Sequence, residues 1–291
     1  MFEGFEEERV DTSEAEINLV RGGDGPPVLL MHGYPQTYAM WHLVAPRLAE
    51  DFTVVATDLR GYGDSSKPFG EEDHSTYSKR AMAADQASVM QSLGFGSFAV
   101  VGHDRGGRVA HRMALDFPEH VTKLAVLDIV PTRHVFETVG KDLATAYYHW
   151  FFFIQPYDLP ETLIGANPGY YLRKKLGGWG TPLETFAPEV LAEYERCFDA
   201  ATIHASCEDY RAAASIDLIH DDADRKGDRK IECPLLALWG GRGVMEKTYD
   251  VEAVWHEYAK DARGRPLDAG HFLAEEQPEG TVRELESFLQ E

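Results

Sequence analysis

The sequence predicts an α/β fold in which helices flank a mostly parallel central sheet and a helical cap is inserted into the chain. Apolar runs typical of buried parallel strands occur at 28–31, 53–57, 98–102, 124–129 and 235–239. Helical patterns occur at 40–49, 79–93, 108–117 and 278–290. This alternation indicates parallel strands joined by right-handed crossovers. Two further runs, 5–9 and 16–20, predict an antiparallel pair at the start.

The alternation stops between about residues 131 and 220, where aromatic residues and helix formers dominate. We interpret this region as the cap, with residues 1–131 and 221–291 as the core and residues 132–220 as the cap. The acidic segment 220–230 is predicted to be a solvated loop that leads back to the sheet. We therefore expect no metal ion at the acidic residues and histidine of this boundary, which are Asp217, His220, Asp221, Asp222 and Asp224.

Composition narrows the range of partners and compartments. A net charge of −21 disfavours binding to nucleic acids and to anionic membranes. No stretch approaches the roughly 20 apolar residues of a membrane span, and the first residues do not look like a secretory signal. The cysteines, Cys197, Cys207 and Cys233, are scattered and odd in number, which indicates a reducing compartment. We expect a cytoplasmic protein.

Residues 102–108, GHDRGGR, predict a nucleophile turn between a strand and a helix. The glycines at 102 and 106 suit the crowding of such a turn, and Asp104 occupies the nucleophile position. The N-terminus of the following helix favours negative charge there. A structural alternative is that Asp104 only caps the helix.

An aspartate nucleophile restricts the reaction. Attack of a carboxylate on an ester or amide carbonyl would give an anhydride, which does not help hydrolysis. Attack on a saturated carbon instead expels a leaving group and forms an alkyl ester of Asp104, which water can hydrolyse. The residue type therefore favours carbon–halogen or epoxide substrates over esters and peptides.

Ester hydrolysis needs a general base and an oxyanion site. His271, in DAGHFLAEEQP, has the position and order expected of the base. The oxyanion site is predicted at the backbone N–H groups of Arg105 and of Tyr34 in HGYPQ. Asp128 ends an apolar strand, where an unpaired carboxylate would be costly to bury, so we predict that it orients the histidine. Glu246 is the alternative acid.

The segments HGYPQTYAMWH, TDLRGYGDSSKP, GHDRGGRVAHRMALDFPEHV and DAGHFLAEEQP resemble α/β-hydrolase dehalogenases and epoxide hydrolases. The resemblance is strongest to the fluoroacetate (haloacetate) dehalogenases and covers nearly the whole chain. DRGGR, the acid at position 128, and the cap segments YYHWFFF and EDYRAAASIDL distinguish this branch. The resemblance implies an α/β-hydrolase fold, no cofactor or metal, a small anionic haloacid substrate and a homodimer.

The resemblance also implies residue roles. Arg105 and Arg108 would bind the substrate carboxylate, and His149, Trp150 and Tyr210 would bind the departing halide. The arginine roles are chemically reasonable, because a guanidinium grips a carboxylate through charge-assisted hydrogen bonds. Such an anchor would also hold the neighbouring carbon in line with the nucleophile.

These observations predict two-step hydrolytic dehalogenation of short 2-haloacids, with fluoroacetate giving glycolate and fluoride. The main alternative is an epoxide hydrolase with the same nucleophile, in which two cap tyrosines protonate the epoxide oxygen. The arginine pair favours the dehalogenase over the epoxide hydrolase, since a neutral epoxide gains nothing from two cations. A binding protein without activity on the same scaffold is a third possibility, which the presence of nucleophile, base, acid and oxyanion loop disfavours.

Overall fold

A single sheet organises the protein. A computed structural model describes residues 1–291. The sheet has eight strands in the order β1-β2-β4-β3-β5-β6-β7-β8. The pairs β1/β2 and β2/β4 are antiparallel, and all other neighbours are parallel. The strands are β1 Glu6–Asp11, β2 Glu16–Gly22, β3 Pro27–Met31, β4 Thr53–Thr57, β5 Phe98–His103, β6 Val121–Leu127, β7 Leu235–Gly240 and β8 Ala262–Leu267.

Helices cover both faces of the sheet, and eight of them lie between β6 and β7. The helices are α1 Ala45–Leu48, α2 Lys79–Ser92, α3 Asp104–Asp116, α4 Thr132–Thr138, α5 Lys141–Ala146, α6 Tyr148–Phe153, α7 Leu159–Gly165, α8 Pro168–Leu176, α9 Pro188–Cys197, α10 Ala200–Ala213, α11 Ile216–Lys226, α12 Val244–Thr248, α13 Val251–Tyr258, α14 Leu273–Glu276 and α15 Pro278–Gln290. The predicted parallel sheet, flanked by helices and interrupted by a helical insertion, is confirmed. No helix is both long enough and apolar enough to cross a membrane.

The central strands are buried on both faces, which explains their nearly continuous apolar sequences. Every residue of β5 and of β7 is buried. The insertion does not separate its flanking strands, because β6 and β7 pair directly in parallel from Leu124 and Leu235 onward. The carboxyl ends of β3, β5, β6, β7 and β8 therefore lie side by side beneath the inserted helices.

The single helix predicted for residues 40–49 is wrong. A 3₁₀ turn spans Tyr38–Trp41, and only Ala45–Leu48 form an α-helix. Pro46 lies in the first turn of that short helix. Because proline has no backbone N–H and disfavours helical geometry in the residue before it, one continuous helix cannot pass through this position.

The loop predicted for residues 220–230 is also wrong, since α11 runs from Ile216 to Lys226 and passes through the proposed core–cap boundary. Ion pairs with arginines hold this acidic helix in place. Asp221 and Asp224 both contact Arg112 of α3, and Asp222 contacts Arg133. The acidic residues that suggested a solvated loop are thus paired with arginines of α3 and α4.

Candidate active site

The turn at residues 102–108 connects β5 to α3, and Asp104 begins the helix with φ +45°. This left-handed backbone is uncommon outside glycine and costs about 1–3 kcal/mol. The flanking glycines have a steric reason. A Cβ on Gly106 would lie 2.5 Å from the carbonyl oxygen of His32, and a Cβ on Gly102 would overlap the backbone of Gly106. The turn therefore packs backbone against backbone and leaves the Asp104 side chain at the strand end.

Asp104 is 8% exposed and lies against the loop that follows β3. The backbone N–H of Tyr34 donates to Asp104 Oδ1 at 3.0 Å. Burial by itself would raise the pKa of the Asp104 carboxyl, but the positive charges of His271 and of the arginines beside it outweigh burial and lower the pKa. The carboxylate is thus held ionised in a buried site.

His271 and Asp128 form a hydrogen-bonded pair at the ends of neighbouring elements. Asp128 follows β6 with φ +54°, and its Oδ2 lies 2.6 Å from His271 Nδ1. Its other oxygen accepts the backbone N–H of Gly240 at 2.9 Å. The alternative acid, Glu246, accepts a hydrogen bond from Trp239 Nε1 instead. The structure brings together Asp128 and His271, and it directs Glu246 elsewhere.

His103 is a neighbour of this pair that the sequence did not single out. Its Nε2 lies 2.8 Å from the backbone oxygen of His271, and the two rings are 4.6 Å apart. Burial lowers the pKa of His103 to about 3, so its ring is neutral and Nε2–H donates to that carbonyl. The residue before Asp104 therefore ties the His271 loop to β5.

The two arginines of the turn are buried but keep unused donors. Arg105 donates through Nε and Nη2 to Asp209 at 2.7–2.8 Å, while Nη1 has no partner. Arg108 donates through Nη1 to Val130 O and to Thr132 Oγ1, while its Nε has no partner. A buried donor without an acceptor is costly and needs an explanation.

The sequence predicts that the backbone N–H groups of Tyr34 and Arg105 form the oxyanion site. The N–H of Tyr34 points at Asp104 in the structure, as described above. The N–H of Arg105 belongs to the first turn of α3, where helix geometry provides no intrahelical acceptor. Both groups belong to the segments that flank the Asp104 carboxylate.

Aromatic side chains of the cap lie over the arginines. The Tyr210 ring is 4.1 Å from the Arg105 guanidinium carbon, and the Trp150 ring is 4.5 Å from that of Arg108. The Tyr210 hydroxyl lies 3.2 Å from His149 Nε2. Burial lowers the pKa of His149 well below its ordinary value, so its ring is neutral. The three residues suggested for halide binding thus form one buried wall.

Two further residues at the site were missed by sequence reasoning. Asp209 of α10 is fully buried, and both of its carboxylate oxygens accept hydrogen bonds from one edge of the Arg105 guanidinium. Trp179 follows α8 and lies with its ring 5.0 Å from that of His149 and 5.1 Å from that of His271. The only sequence signal for Asp209 was its place beside Tyr210 in the cap segment EDYRAAASIDL.

Comparison with known proteins agrees with this geometry. Residues 26–278 match the family model described as the alpha/beta hydrolase fold. The chain is 49% identical to a fluoroacetate dehalogenase from Burkholderia sp, covering 99% of this chain and 95% of the relative. It is 33% identical to a soluble epoxide hydrolase from Corynebacterium sp. (strain C12), covering 91% of each.

A solved structure supports the same family assignment. A protein of Nostoc sp PCC 7120, described as an alpha/beta hydrolase, superposes with a TM-score of 0.97 at 60% identity and covers 99% of both chains. These matches extend over the core and the inserted helices alike. The chain belongs to the α/β-hydrolase family, within the group that contains the fluoroacetate dehalogenase.

Proposed function

We propose that the protein hydrolyses the carbon–halogen bond of short 2-haloacids, with fluoroacetate converted to glycolate and fluoride. The observation that carries this proposal is the pairing of one buried, ionised carboxylate with two buried arginine donors that lack acceptors. Asp104 supplies the nucleophile, and Arg105 Nη1 and Arg108 Nε are free to bind a carboxylate. The relative at 49% identity, a fluoroacetate dehalogenase, supports the same substrate class.

In the first step an oxygen of Asp104 attacks the carbon that bears the halogen. The new C–O bond forms as the C–X bond breaks, and the halide leaves with the bonding pair. Oδ1 already accepts the Tyr34 N–H, which makes Oδ2 the free attacking oxygen. Anchoring the substrate carboxylate on the arginines holds that carbon in line, which converts a bimolecular encounter into a positioned one.

In the second step water adds to the Asp104 carbonyl carbon and releases the hydroxyacid. His271 accepts a proton from this water and returns it to the departing hydroxyl oxygen of the product, and Asp128 on Nδ1 stabilises the intervening imidazolium. The carbonyl oxygen that becomes the oxyanion is Oδ1, which lies at the Tyr34 N–H. With the Arg105 N–H as second donor, this arrangement would lower the barrier to ester hydrolysis.

Fluoride is a poor leaving group and a strong hydrogen-bond acceptor, so it needs donors aimed at the developing charge. His149, Trp150 and Tyr210 offer imidazole, indole and phenol N–H or O–H groups in one buried wall. A well-placed donor in a site without water contributes about 10²–10³ in rate. We assign these three residues to halide binding.

Epoxide hydrolysis is the second candidate, and two observations favour it. Tyr147 and Tyr210 are both buried in the cap, and one relative at 33% identity is a soluble epoxide hydrolase. The free donors of Arg105 and Arg108 oppose it, because a neutral epoxide would leave them without acceptors.

Halide release decides between the candidates. We expect the protein to release fluoride from fluoroacetate and chloride from chloroacetate, and to leave styrene oxide unchanged. Turnover of the epoxide without halide release from either acid would overturn the proposal.

Mass spectrometry tests the covalent step. In a His271→Ala variant given fluoroacetate, we expect the peptide containing Asp104 to gain the mass of a carboxymethyl ester. An Asp104→Asn variant is the matched control and should stay unmodified. Substrate binding by His271→Ala without any ester would contradict the mechanism.

Assembly and location belong to the same proposal. The family resemblance supports a homodimer, and the free, scattered cysteines support the cytoplasm. Sedimentation equilibrium of the purified protein tests the first, and a monomer at micromolar concentration would contradict it. Cell fractionation tests the second.

A further inference from the structure

We propose that Lys175, on the inserted helix α8, is a second binding site for small monovalent anions, distinct from the arginine pair. It would hold the haloacid on its way to Asp104 and the halide on its way out. The transport role rests on the proposed function, whereas anion binding at Lys175 does not.

Lys175 stands out among the buried cations. Seven lysine and arginine side chains are buried. Five of them contact a carboxylate, namely Arg60, Lys79, Arg105, Arg112 and Arg211. The other two are Arg108, already assigned to the substrate carboxylate, and Lys175. Lys175 is 4% exposed and has neither an ion pair nor a hydrogen bond within the chain. A buried cation without an anion is costly, which suggests that the anion comes from outside.

Aromatic rings surround the Lys175 ammonium. Its Nζ lies 3.7 Å from the Tyr148 ring centroid, 5.1 Å from that of Trp179 and 5.6 Å from that of Tyr171. Cation–π contacts of this kind offset part of the cost of burial. They do not compensate it fully, because burial lowers the pKa of Lys175 to about 7. A bound anion would restore the missing charge balance.

Lys175 lies between an exposed ring of the cap and the rings next to the candidate active site. Tyr148, on one side, is 46% exposed. Trp179, on the other side, contacts the rings of both His149 and His271. An anion at Lys175 would therefore lie between the surface of the cap and the site around Asp104. In a chain of net charge −21, a cation at this point would offset the repulsion of an approaching anion.

Trp179 provides a direct probe of this site, since its ring is one of the aromatic rings around the Lys175 Nζ. Iodide quenches tryptophan fluorescence on contact, and subtracting the signal of a Trp179→Phe variant isolates Trp179 from the other four tryptophans. We expect Lys175→Met to lower the iodide quenching constant of Trp179 about tenfold, as for loss of a charge-assisted contact. Lys175→Arg, which keeps the charge, should preserve it.

Acrylamide, a neutral quencher, separates charge from access. Its quenching constant should be the same in the wild type and in Lys175→Met. If Lys175→Met reduced iodide and acrylamide quenching equally, the packing would have changed and the proposal would be overturned. If Lys175→Met left iodide quenching unchanged, the proposal would also be overturned.

A pH series adds a signature specific to a lysine with a lowered pKa. The titratable groups that face Lys175 are Tyr148 and His149 from α6 and Tyr171 from α8. Burial raises the pKa of Tyr171 and lowers that of His149, so neither gains charge near neutrality. Iodide quenching should therefore weaken as the pH rises through about 7 in the wild type. In Lys175→Arg, iodide quenching should show only a smaller pH dependence, due to the titration of His271 beside Trp179. An equal pH dependence of quenching in the wild type and in Lys175→Arg would overturn the proposal.

Steady-state kinetics with chloroacetate then tests transport. We expect Lys175→Met to lower kcat/KM, kcat or both by about tenfold. Loss in kcat/KM alone assigns Lys175 to substrate arrival, and loss in kcat assigns it to halide release. Unchanged kinetics would overturn the transport role. If no haloacid is turned over by the wild type while iodide quenching still depends on Lys175, the proposed function fails and the anion site stands.

Discussion

Two aspartates in similar backbone settings are given different tasks by their hydrogen-bond partners. Asp104 and Asp128 each follow a parallel strand with a positive φ, a conformation that costs free energy and is common at functional sites. Asp104 receives a single backbone donor, from Tyr34, which leaves one oxygen free. Both oxygens of Asp128 are engaged, by Gly240 and by His271. The free oxygen suits attack, and the fully bound carboxylate suits orientation.

The pairing of His271 with Asp128 sets the pH dependence of the proposed ester hydrolysis. Burial would lower the pKa of His271, but its hydrogen bond to Asp128 outweighs burial and raises the pKa above 6.5. His271 acts as a base only when neutral, so the rate of ester hydrolysis should fall as the pH is lowered through a value above 6.5. Rapid-quench measurement of ester decay between about pH 5 and 9 follows this acidic limb of the pH–rate profile, in which the rate falls with pH.

Asp128→Asn should move that limb to lower pH and slow hydrolysis by about 10⁴. Glu246→Gln, at the acid that binds Trp239 instead, should leave the limb unchanged. An unmoved limb in Asp128→Asn would contradict the assigned pairing.

A second prediction concerns Asp209 as a positioning residue. It holds Nε and Nη2 of Arg105 and leaves Nη1 for the substrate. Asp209→Asn should raise KM for fluoroacetate about tenfold or more, because a misplaced anchor loses alignment, while kcat falls less. Asp217→Asn is the matched control, since Asp217 contacts Lys79, as Asp209 does, but not Arg105. Equal KM changes in both variants would count against a role through Arg105.

At the scale of elements, the site is assembled from the carboxyl ends of parallel strands, as is usual for open α/β sheets. Tyr34 follows β3, Asp104 follows β5, Asp128 follows β6, and His271 follows β8. The cap is joined to this edge by a buried tie in which Tyr194 of α9 and Gln36 of the β3 loop both donate to Glu275 of α14.

The buried Glu275 of this tie, the hydrogen-bond cluster of Tyr194, Gln36 and Glu275, predicts an unusual pH dependence of the protein's stability. Burial raises the pKa of Glu275 to about 8, compared with about 4.3 for an exposed glutamate. Between these values the folded protein holds a proton that the unfolded chain releases, so the stability contributed by Glu275 falls as the pH rises from about 4.3 to 8.

Glu275→Gln mimics the protonated side chain and should remove this loss of folding stability at high pH. Thermal melts should show a Tm above that of the wild type by at least about 2–4 °C at pH 8, the shift expected for 1 kcal/mol. At pH 5 the two should be similar. Glu279→Gln, at an exposed acid of α15, should leave the wild-type pH profile unchanged; a matching rise in that variant would contradict the assignment.

The elements also show what the sequence could and could not predict. Asp104, Asp128 and His271 were identifiable because each follows a strand-like segment, and strand ends meet at one edge whatever the loops do. The acidic helix α11 was predicted as a loop because its carboxylates are stabilised by Arg112 and Arg133, which lie far away in sequence. Asp209 was missed for the same reason: its partner Arg105 is 104 residues distant.

At the scale of the whole molecule, a strongly acidic protein buries three positive side chains in or beside its candidate active site. The net charge is −21, while the side chains of Arg105, Arg108 and Lys175 are all buried. The net charge would therefore repel the proposed anionic substrate at long range, whereas the buried cations would attract it at short range. Long-range repulsion of this kind slows association and is screened by salt.

This opposition predicts that kcat/KM for fluoroacetate increases with ionic strength. Between about 0.01 and 0.15 M the Debye length falls from about 30 to 8 Å, which screens the surface more than the buried arginines. Sodium sulfate should be used so that no added halide competes for the site. We expect kcat to stay constant, and a decrease in kcat/KM over this range would contradict the interpretation.

The direct pairing of β6 with β7 across the inserted helices also has a consequence for how the chain folds. Leu127 and Leu238 are neighbours in the sheet although the whole cap separates them along the chain, so their contact closes a long loop. Closure of long loops is entropically costly and tends to come late. The first six strands and the Asp104 turn can therefore form before Gly240 and His271 reach Asp128. A growing chain would position Asp104, the proposed nucleophile, early and His271, the proposed general base, last, when the C-terminal strands join the sheet.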